Sequence, residues 1–392
     1  MESNEKEIGL YIHIPFCKSK CYYCDFFSFS GKEKIQEKYV QCLEKEIKHY
    51  ATENNILHEH GLEKKYLIKT IYIGGGTPSI LDEIYIANIM RTIKHNFKVD
   101  DDAEITIEVN PGTITKEKLK TYIDIGINRL SIGLQAMQDE ILKKIGRIHT
   151  YSEFEDTFRS ARQVGFKNIN VDLMIGLPAQ RIGDVEKSLK SVLSFKPEHL
   201  SIYSLILEEG TELFEKVQSH EIEMISDALE REMYWKVRNI LEKYNYVQYE
   251  ISNYARPGFE SKHNMDCWSQ KEYIGIGAAA SSFLDNARYS NIHSIEDYIS
   301  NIENGNYNRN LILEETLNYE SKMKEYMMLG LRKIEGVSIT DFEKKFNQNP
   351  IIKYCKDLEE LNKNGLISVI DDTIQLTSKG IDFANLVWQH FV

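Results

Sequence analysis

The chain has 392 residues, 42% of them hydrophobic and 28% charged, the balance of an ordinary globular protein with a substantial core. Its 48 Lys and Arg against 60 Asp and Glu leave a net charge of −12 with no basic block to offset it, which argues against nucleic acid as a partner. No apolar run approaches the ~18 residues of an integral membrane segment. The opening MESNEKEIGLYIHIPF also lacks the basic and apolar regions of a secretory signal. The expected location is therefore cytoplasmic, where thiols stay reduced.

From residue 8 to about 205, short β-branched runs alternate with longer amphipathic stretches. The runs predict strands at Gly9–Ile14, Thr70–Gly74, Glu104–Val109, Arg129–Gly133, Asn168–Met174 and His199–Ser204. Helices are predicted between them at Glu33–Tyr50, Ile84–His95, Lys116–Tyr122, Tyr151–Val164 and Gly183–Ser194. Such alternation implies an α/β fold with a parallel sheet and right-handed crossovers. Six units suit a partial or complete barrel, or an open doubly wound sheet; either would place a site at the carboxyl ends of the strands.

The pattern changes after residue 205. A long helix is expected over Asp227–Tyr244 and a short strand over Gln248–Ile251, followed by the irregular, Gly/Pro/Asn-rich SNYARPGFESKHN. Further on come helices Tyr319–Arg332 and Ile351–Asn364, with GVSITDFEKKF between them, and then the hairpin-like GLISVIDDTIQLT. Helices followed by two short strands suggest a mostly helical, winged-helix-like module. Lacking a basic recognition face, it suits a structural or docking role.

Six cysteines occur, at 17, 21, 24, 42, 267 and 355. Cys42 and Cys355 lie in helical patterns beside apolar residues and are expected to be buried, inert thiols. The other motif is Cys17-x3-Cys21-x2-Cys24, directly after the first strand. Three thiolates can hold three corners of a [4Fe–4S] cluster and leave the fourth iron open. That iron can chelate the amino and carboxylate groups of S-adenosylmethionine. A structural zinc site is the alternative, with His13 as a possible fourth ligand, although no second Cys pair follows. The neighbouring Tyr22, Tyr23, Phe26 and Phe27 suit a cluster shielded from water.

CKSKCYYC in this position resembles the radical S-adenosylmethionine superfamily. YIHIPFC, YIGGGTPS (72–79), IEVNPGT (107–113), RLSIGLQ (129–135), GRIHT (146–150), VDLMIGLPAQ (171–180) and YEISNYARPGFESKHN (249–264) extend the match. In order and spacing they resemble the oxygen-independent coproporphyrinogen III oxidase group, and within it the HemW-type branch of heme chaperones. The resemblance runs from about residue 8 to the C-terminus. It implies a partial (β/α)6, TIM-like barrel over 1–250, a connecting segment with a heme motif over 251–315, and the winged-helix-like domain over 316–392.

It further implies a cofactor pocket. Gly74, Gly75, Gly76 and Thr77 follow the second strand, where glycines let backbone approach the methionine amino group. Glu108, Gln135, Arg147 and Asp172 are expected on four different βα units at the barrel mouth. Arg147 would fork onto a carboxylate and Asp172 would accept from ribose hydroxyls. Tyr11 and Tyr23 resemble aromatic positions near the cofactor.

His263 and Asn264 open HNMDCW, where the family's heme-binding pattern is His-Asn-x-x-Tyr-Trp; His263 is the implied axial ligand of heme iron. Cys267 stands in place of the tyrosine and is itself a possible iron ligand. Ser281, in GIGAAASSF, stands where related sequences usually carry histidine.

Two features favour the chaperone branch over the oxidases of porphyrin biosynthesis. The oxidases carry a fourth cysteine where this chain has Phe26, and they have a long segment ahead of the cysteines. The implied partners are heme and heme-acceptor proteins, respiratory or membrane-associated, with the cluster and S-adenosylmethionine supporting transfer.

Overall fold

The computed structural model describes residues 5–52 and 65–392. Six parallel strands form its centre: β1 (Glu5–Ile14), β2 (Lys65–Gly75), β3 (Lys98–Val109), β4 (Arg129–Gln135), β5 (Asn168–Ile175) and β6 (His199–Ser204). They pair in sequence order, each parallel to the next. Each predicted strand is present, most of them longer at one or both ends.

The period-2 pattern of these strands has a physical consequence. Leu10, Ile12, Ile71, Ile73, Ile105, Ile107, Leu130, Ile132, Ile169 and Val171 are 4% exposed or less, in one apolar core with helix residues such as Leu43, Met90, Phe154 and Leu189. The alternate residues are polar or glycine: Tyr11 and His13, Thr70 and Tyr72, Thr106 and Glu108, Arg129 and Ser131, Asn170 and Asp172, His199 and Ser201. Their side chains contact one another between neighbouring strands, as when Tyr72 bonds Glu108 and Ser131 bonds Asp172. The apolar face is covered by helices and the polar face lines the interior.

The sheet continues on both sides. β7 (Val247–Gln248) and β8 (Asn253–Ala255) extend it beyond β6. β9 (Tyr273–Ile276) joins β1 in parallel, followed by β10 (Ser281–Leu284), β11 (Ala287–Asn291) and β12 (Leu311–Thr316) in antiparallel pairs. The twelve strands run β12-β11-β10-β9-β1-β2-β3-β4-β5-β6-β8-β7, and the end strands do not pair. The α/β barrel is therefore partial, with an open seam. The four strands β9 to β12 escape the sequence reading because each is short and lacks a long apolar run.

The central helices fall close to expectation: Glu83–Asn96, Lys116–Asp124, Tyr151–Val164 and Ile182–Ser194, with Gln36–Thr52 preceded by a 3-10 turn. Tyr151–Val164 opens on a capping box of Thr150 and Glu153 and stops at Gly165.

After Tyr319–Gly330 the chain forms a small domain around Met323, Met327, Phe342, Leu358 and Ile374. Its sheet holds β13 (Val337–Ser338), β14 (Ile367–Ile370) and β15 (Thr373–Leu376) in the order β13-β15-β14. The helix expected over Ile351–Asn364 breaks at Tyr354 into Pro350–Lys353 and Cys355–Lys363. Cys355 is exposed, with its Sγ 3.2 Å from Glu359 Oε1, which corrects the expectation of a buried thiol; Cys42 is buried. No described helix is long and apolar enough to cross a membrane.

Candidate functional site

At the carboxyl ends of β1 to β6 lies a cavity of about 380 Å³. Cys17, Cys21 and Cys24 line it together with Tyr23, Gly75, Gly76, Thr77, Glu108, Gln135, Arg147 and Asp172. Eleven of the residues singled out from the sequence thus meet in one place. Gly74 stands just behind it, while Tyr11 and His263 lie deeper in the barrel.

The cysteine loop is held at both ends. Cys17 N–H donates to Phe29 O at 2.9 Å and Phe29 N–H to Pro15 O at 2.8 Å, so the loop returns to the strand it left. In the middle, Tyr22 N–H donates to Ile145 O at 3.1 Å and Tyr22 O accepts from Leu213 N–H at 2.7 Å. Burial pushes the Cys17 and Cys21 thiols up, each partly offset, Cys17 by the Thr77 hydroxyl 3.5 Å away and Cys21 by the charge of Arg147. Phe26 is 63% exposed, so it does not shield the loop as the sequence suggested.

The glycine loop explains itself through what a side chain would strike. A Cβ on Gly76 would stand 2.9 Å from Cys17 Sγ and 2.8 Å from Phe16 O. One on Gly74 would stand 2.8 Å from the Tyr72 ring and 3.0 Å from the Glu108 carboxyl. Bare backbone at these positions lets β2 approach both the thiols and the carboxylate.

Glu108 accepts from Tyr72 Oη at 2.9 Å and from Gly75 N–H at 3.1 Å. Burial pushes its carboxyl up to about 7, against those two hydrogen bonds. Burial likewise raises Asp172, which accepts from Asn170 at 2.6 Å and Ser131 at 3.1 Å. Arg147 donates to Tyr23 Oη at 3.2 Å and Asn110 Oδ1 at 2.9 Å. Burial opposes its charge, but Tyr23 and Cys21 hold the guanidinium above its ordinary value, so it remains a cation. Gln135, in left-handed backbone at φ 70°, accepts from Tyr203 Oη at 3.0 Å.

Arg147 lies beyond the short helix Asp139–Lys144 and before Tyr151–Val164, within the same connection that Gln135 begins. The four polar residues therefore come from three βα units rather than four. Sequence reasoning also passed over Asn110, whose amide donates to Thr77 Oγ1 at 2.9 Å while its oxygen accepts from Arg147. It sits inside IEVNPGT, immediately after β3, where position alone marks it. Tyr72 and Tyr203 were missed because an aromatic residue in a strand reads as core.

The donor set fits an iron–sulfur cluster with an amino-acid-bearing ligand. Three thiols share one cavity, a side-chain-free loop runs beside them, and a half-buried cation and two half-buried carboxyl groups line the same space. His13 does not complete a zinc set: its Nε2 pairs with Phe27 O at 2.8 Å and its Nδ1 with Tyr11 Oη at 3.0 Å.

His263 lies elsewhere. It sits on a helix, Lys262–Trp268, where the sequence suggested irregular chain. Ser261 caps that helix, and the Glu104 carboxylate accepts from the N–H groups of Lys262 and His263 at 3.1 Å each. The helix closes the end of the barrel opposite the cysteines. His263 is 8% exposed, its Nδ1 2.8 Å from Thr70 Oγ1 and its ring stacked 5.3 Å from Tyr72. Burial pushes the imidazole down to about 4, with the Arg129 charge adding to the effect. Burial pushes the Cys267 thiol up to about 11. Ser281 begins β10 on the exposed side.

The Radical SAM superfamily model matches residues 11–192, and the HemN C-terminal domain model matches 317–383. The chain is 37% identical over 383 residues to the heme chaperone HemW of Bacillus subtilis, covering 97% of this chain and 98% of that one. It is 34% identical over 388 residues to the heme chaperone HemW of Lactococcus lactis, covering 99% and 98%. Among solved structures, coproporphyrinogen III oxidase (HemN) from Escherichia coli superposes with a TM-score of 0.84 at 23% identity, over 99% of this chain and 90% of that one. The oxidase shares the fold. Identity sustained over whole chains goes further: the chain belongs to the HemW family of the radical S-adenosylmethionine superfamily.

Proposed function

We propose that the protein is a heme chaperone that holds a [4Fe–4S] cluster on Cys17, Cys21 and Cys24 and S-adenosylmethionine beside it. It would bind heme through His263 and pass it, in the cytoplasm, to respiratory or membrane-associated acceptor proteins. The observation that carries the cofactor part is the convergence of the three thiols with Glu108, Arg147 and Asp172 on one cavity. When bound, the cluster supplies an open iron and an electron to its ligand.

The chain's own residues then have distinct tasks. Arg147, kept charged and aimed by Asn110 and Tyr23, faces a carboxylate. Glu108, fixed by Tyr72 and Gly75, accepts from an ammonium or hydroxyl group, and Asp172 accepts from hydroxyls. Phe26, in the position where the oxidases have a fourth cysteine, supports the chaperone over porphyrinogen decarboxylation. On the opposite side, burial keeps His263 neutral, the form in which imidazole ligates iron. Thr70 occupies Nδ1, which leaves Nε2 for the metal.

The test is anaerobic. The cluster is reconstituted, hemin is added, and the Soret band is followed in the natural chain and in His263→Ala. A band retained by the natural chain and weakened in the variant is the expected result. Absence of retained heme together with conversion of coproporphyrinogen III to protoporphyrinogen IX would overturn the proposal in favour of the oxidase.

A further inference from the structure

The helix that carries His263 ends on Trp268, and Trp268 does not pack as an ordinary core residue. The Arg332 guanidinium carbon lies 4.3 Å from the centre of the Trp268 ring and 5.0 Å from that of Trp388. Arg332 follows the first helix of the C-terminal domain, and Trp388 ends one of its last. One cation thus joins two indoles, one from the barrel floor and one from the C-terminal domain.

The carboxylate nearest this cation is Glu250, which is 1% exposed. Its Oε2 stands 4.0 Å from Arg332 Nη2, beyond hydrogen-bond reach. That oxygen, Arg332 Nε and the indole N–H groups of Trp268 and Trp388 are all buried without a hydrogen-bond partner among the described residues. A seam built only for stability would satisfy such groups, because each buried orphan works against the closed arrangement. Stacking of the cation on two rings favours closure. The two effects oppose each other at one junction, as a contact that opens and recloses requires.

Several other bonds join this domain to the barrel. Lys345 Nζ donates to Gln270 Oε1 at 3.2 Å and the Trp235 indole N–H to Asp382 Oδ1 at 2.9 Å, while Arg288 pairs with Glu325 and Arg231 with Asp382. Ile334 N–H donates to Tyr249 O at 3.0 Å, and the Gln270 amide donates to Lys322 O at 3.2 Å and to Glu325 Oε2 at 2.6 Å. The bonds of Tyr249 and Gln270 lie on either side of the His263 helix along the chain, whereas those of Asp382 reach the helix Asp227–Lys243. With the seam closed, His263 is buried between Thr70, Tyr72 and Gly9, with no room for a macrocycle.

We infer that the Trp268–Arg332–Trp388 stack is a latch by which the C-terminal domain holds the Lys262–Trp268 helix shut, so that heme reaches His263 only when this domain swings away. The inference rests on the proposed heme role of His263 and adds its gate. It assigns the C-terminal domain the task of controlling access.

The test uses the full chain with its cluster reconstituted. Arg332→Ala and Trp388→Ala are each compared with the natural chain by amide hydrogen exchange and by the rate of Soret growth after hemin addition. Exchange across 262–268 and hemin association are both expected to rise about tenfold, the equivalent of losing a desolvated cation–π contact. Exchange in β1 to β6 and the iron and sulfide content should not change. Trp388→Ala, near the chain end, keeps the question open to refutation if Arg332→Ala does not fold. Unchanged exchange over 262–268 in Trp388→Ala overturns the latch. Faster exchange there, with hemin association unaltered and indifferent to His263→Ala, supports the latch and overturns the heme role of His263.

Discussion

The two ends of the barrel are built from the same alternating strands but solve opposite problems. At the mouth, Glu108, Asp172 and Arg147 are half-buried and line one cavity, each also hydrogen-bonded to protein. At the floor, the polar side chains close on one another. His199 is held between Asn170 Oδ1 and Tyr249 Oη at 2.7 Å each, and Glu104 accepts from Ser261, Lys262 and His263. Buried polar groups are affordable when mutually paired or when a ligand completes them. The mouth takes the second course, and the His199 and Glu104 clusters of the floor take the first. His263 lies on the helix Lys262–Trp268 that closes this end, and the heme role proposed for it would make the floor more than a plug.

Substitutions at the two ends should therefore separate cofactor content from stability. The largest effect is expected for Cys21→Ala, which removes one of the three proposed cluster ligands. Iron, sulfide and the brown absorbance near ~400 nm typical of cubane clusters should be lost, while the thermal transition of the cluster-free chain stays in place. Persistence of stoichiometric iron and sulfide in that variant defeats the cluster assignment.

At the floor, His199→Ala should do the reverse. It opens a cavity and removes one hydrogen bond each from Asn170 and Tyr249, at about 2–4 kcal/mol in denaturant unfolding, with cluster content unchanged. Equal loss of cluster and stability would mean that the two ends are not independent.

A smaller effect is read at the mouth. Tyr72→Phe deletes one donor to Glu108, and binding of S-adenosylmethionine to the reconstituted protein should weaken about fivefold, the worth of one ordinary hydrogen bond. If affinity is unaltered, Glu108 does not touch that ligand. The smallest effect belongs to Phe26→Ala. This exposed ring should change stability by less than about 0.5 kcal/mol, and retention of the cluster would show that its shielding comes from elsewhere in the loop.

Much of the barrel was legible because it depends on local pattern. Strands β1 to β6 declare themselves through β-branched alternation, and the cysteine spacing declares its chemistry without a fold. The short strands β9 to β12 were not legible, since a four-residue strand such as Tyr273–Ile276 is specified by pairing with β1 rather than by its own residues. The same reason accounts for the His263 helix. Its first turn is stabilised by a carboxylate from residue 104, more than 150 positions away, and no local window contains that partner.

The sequence by itself therefore determined the six central strands, the helices between them and the spacing of the three cysteines, because each follows from residue type and position along the chain. The order of the strands in the sheet came from the tertiary structure. Tertiary structure alone decided that Glu108 meets Tyr72 and Arg147 meets Asn110. It also set His263 at the far end from the cysteines and brought Arg332 between Trp268 and Trp388. These are contacts between distant segments, and only the packed chain selects them.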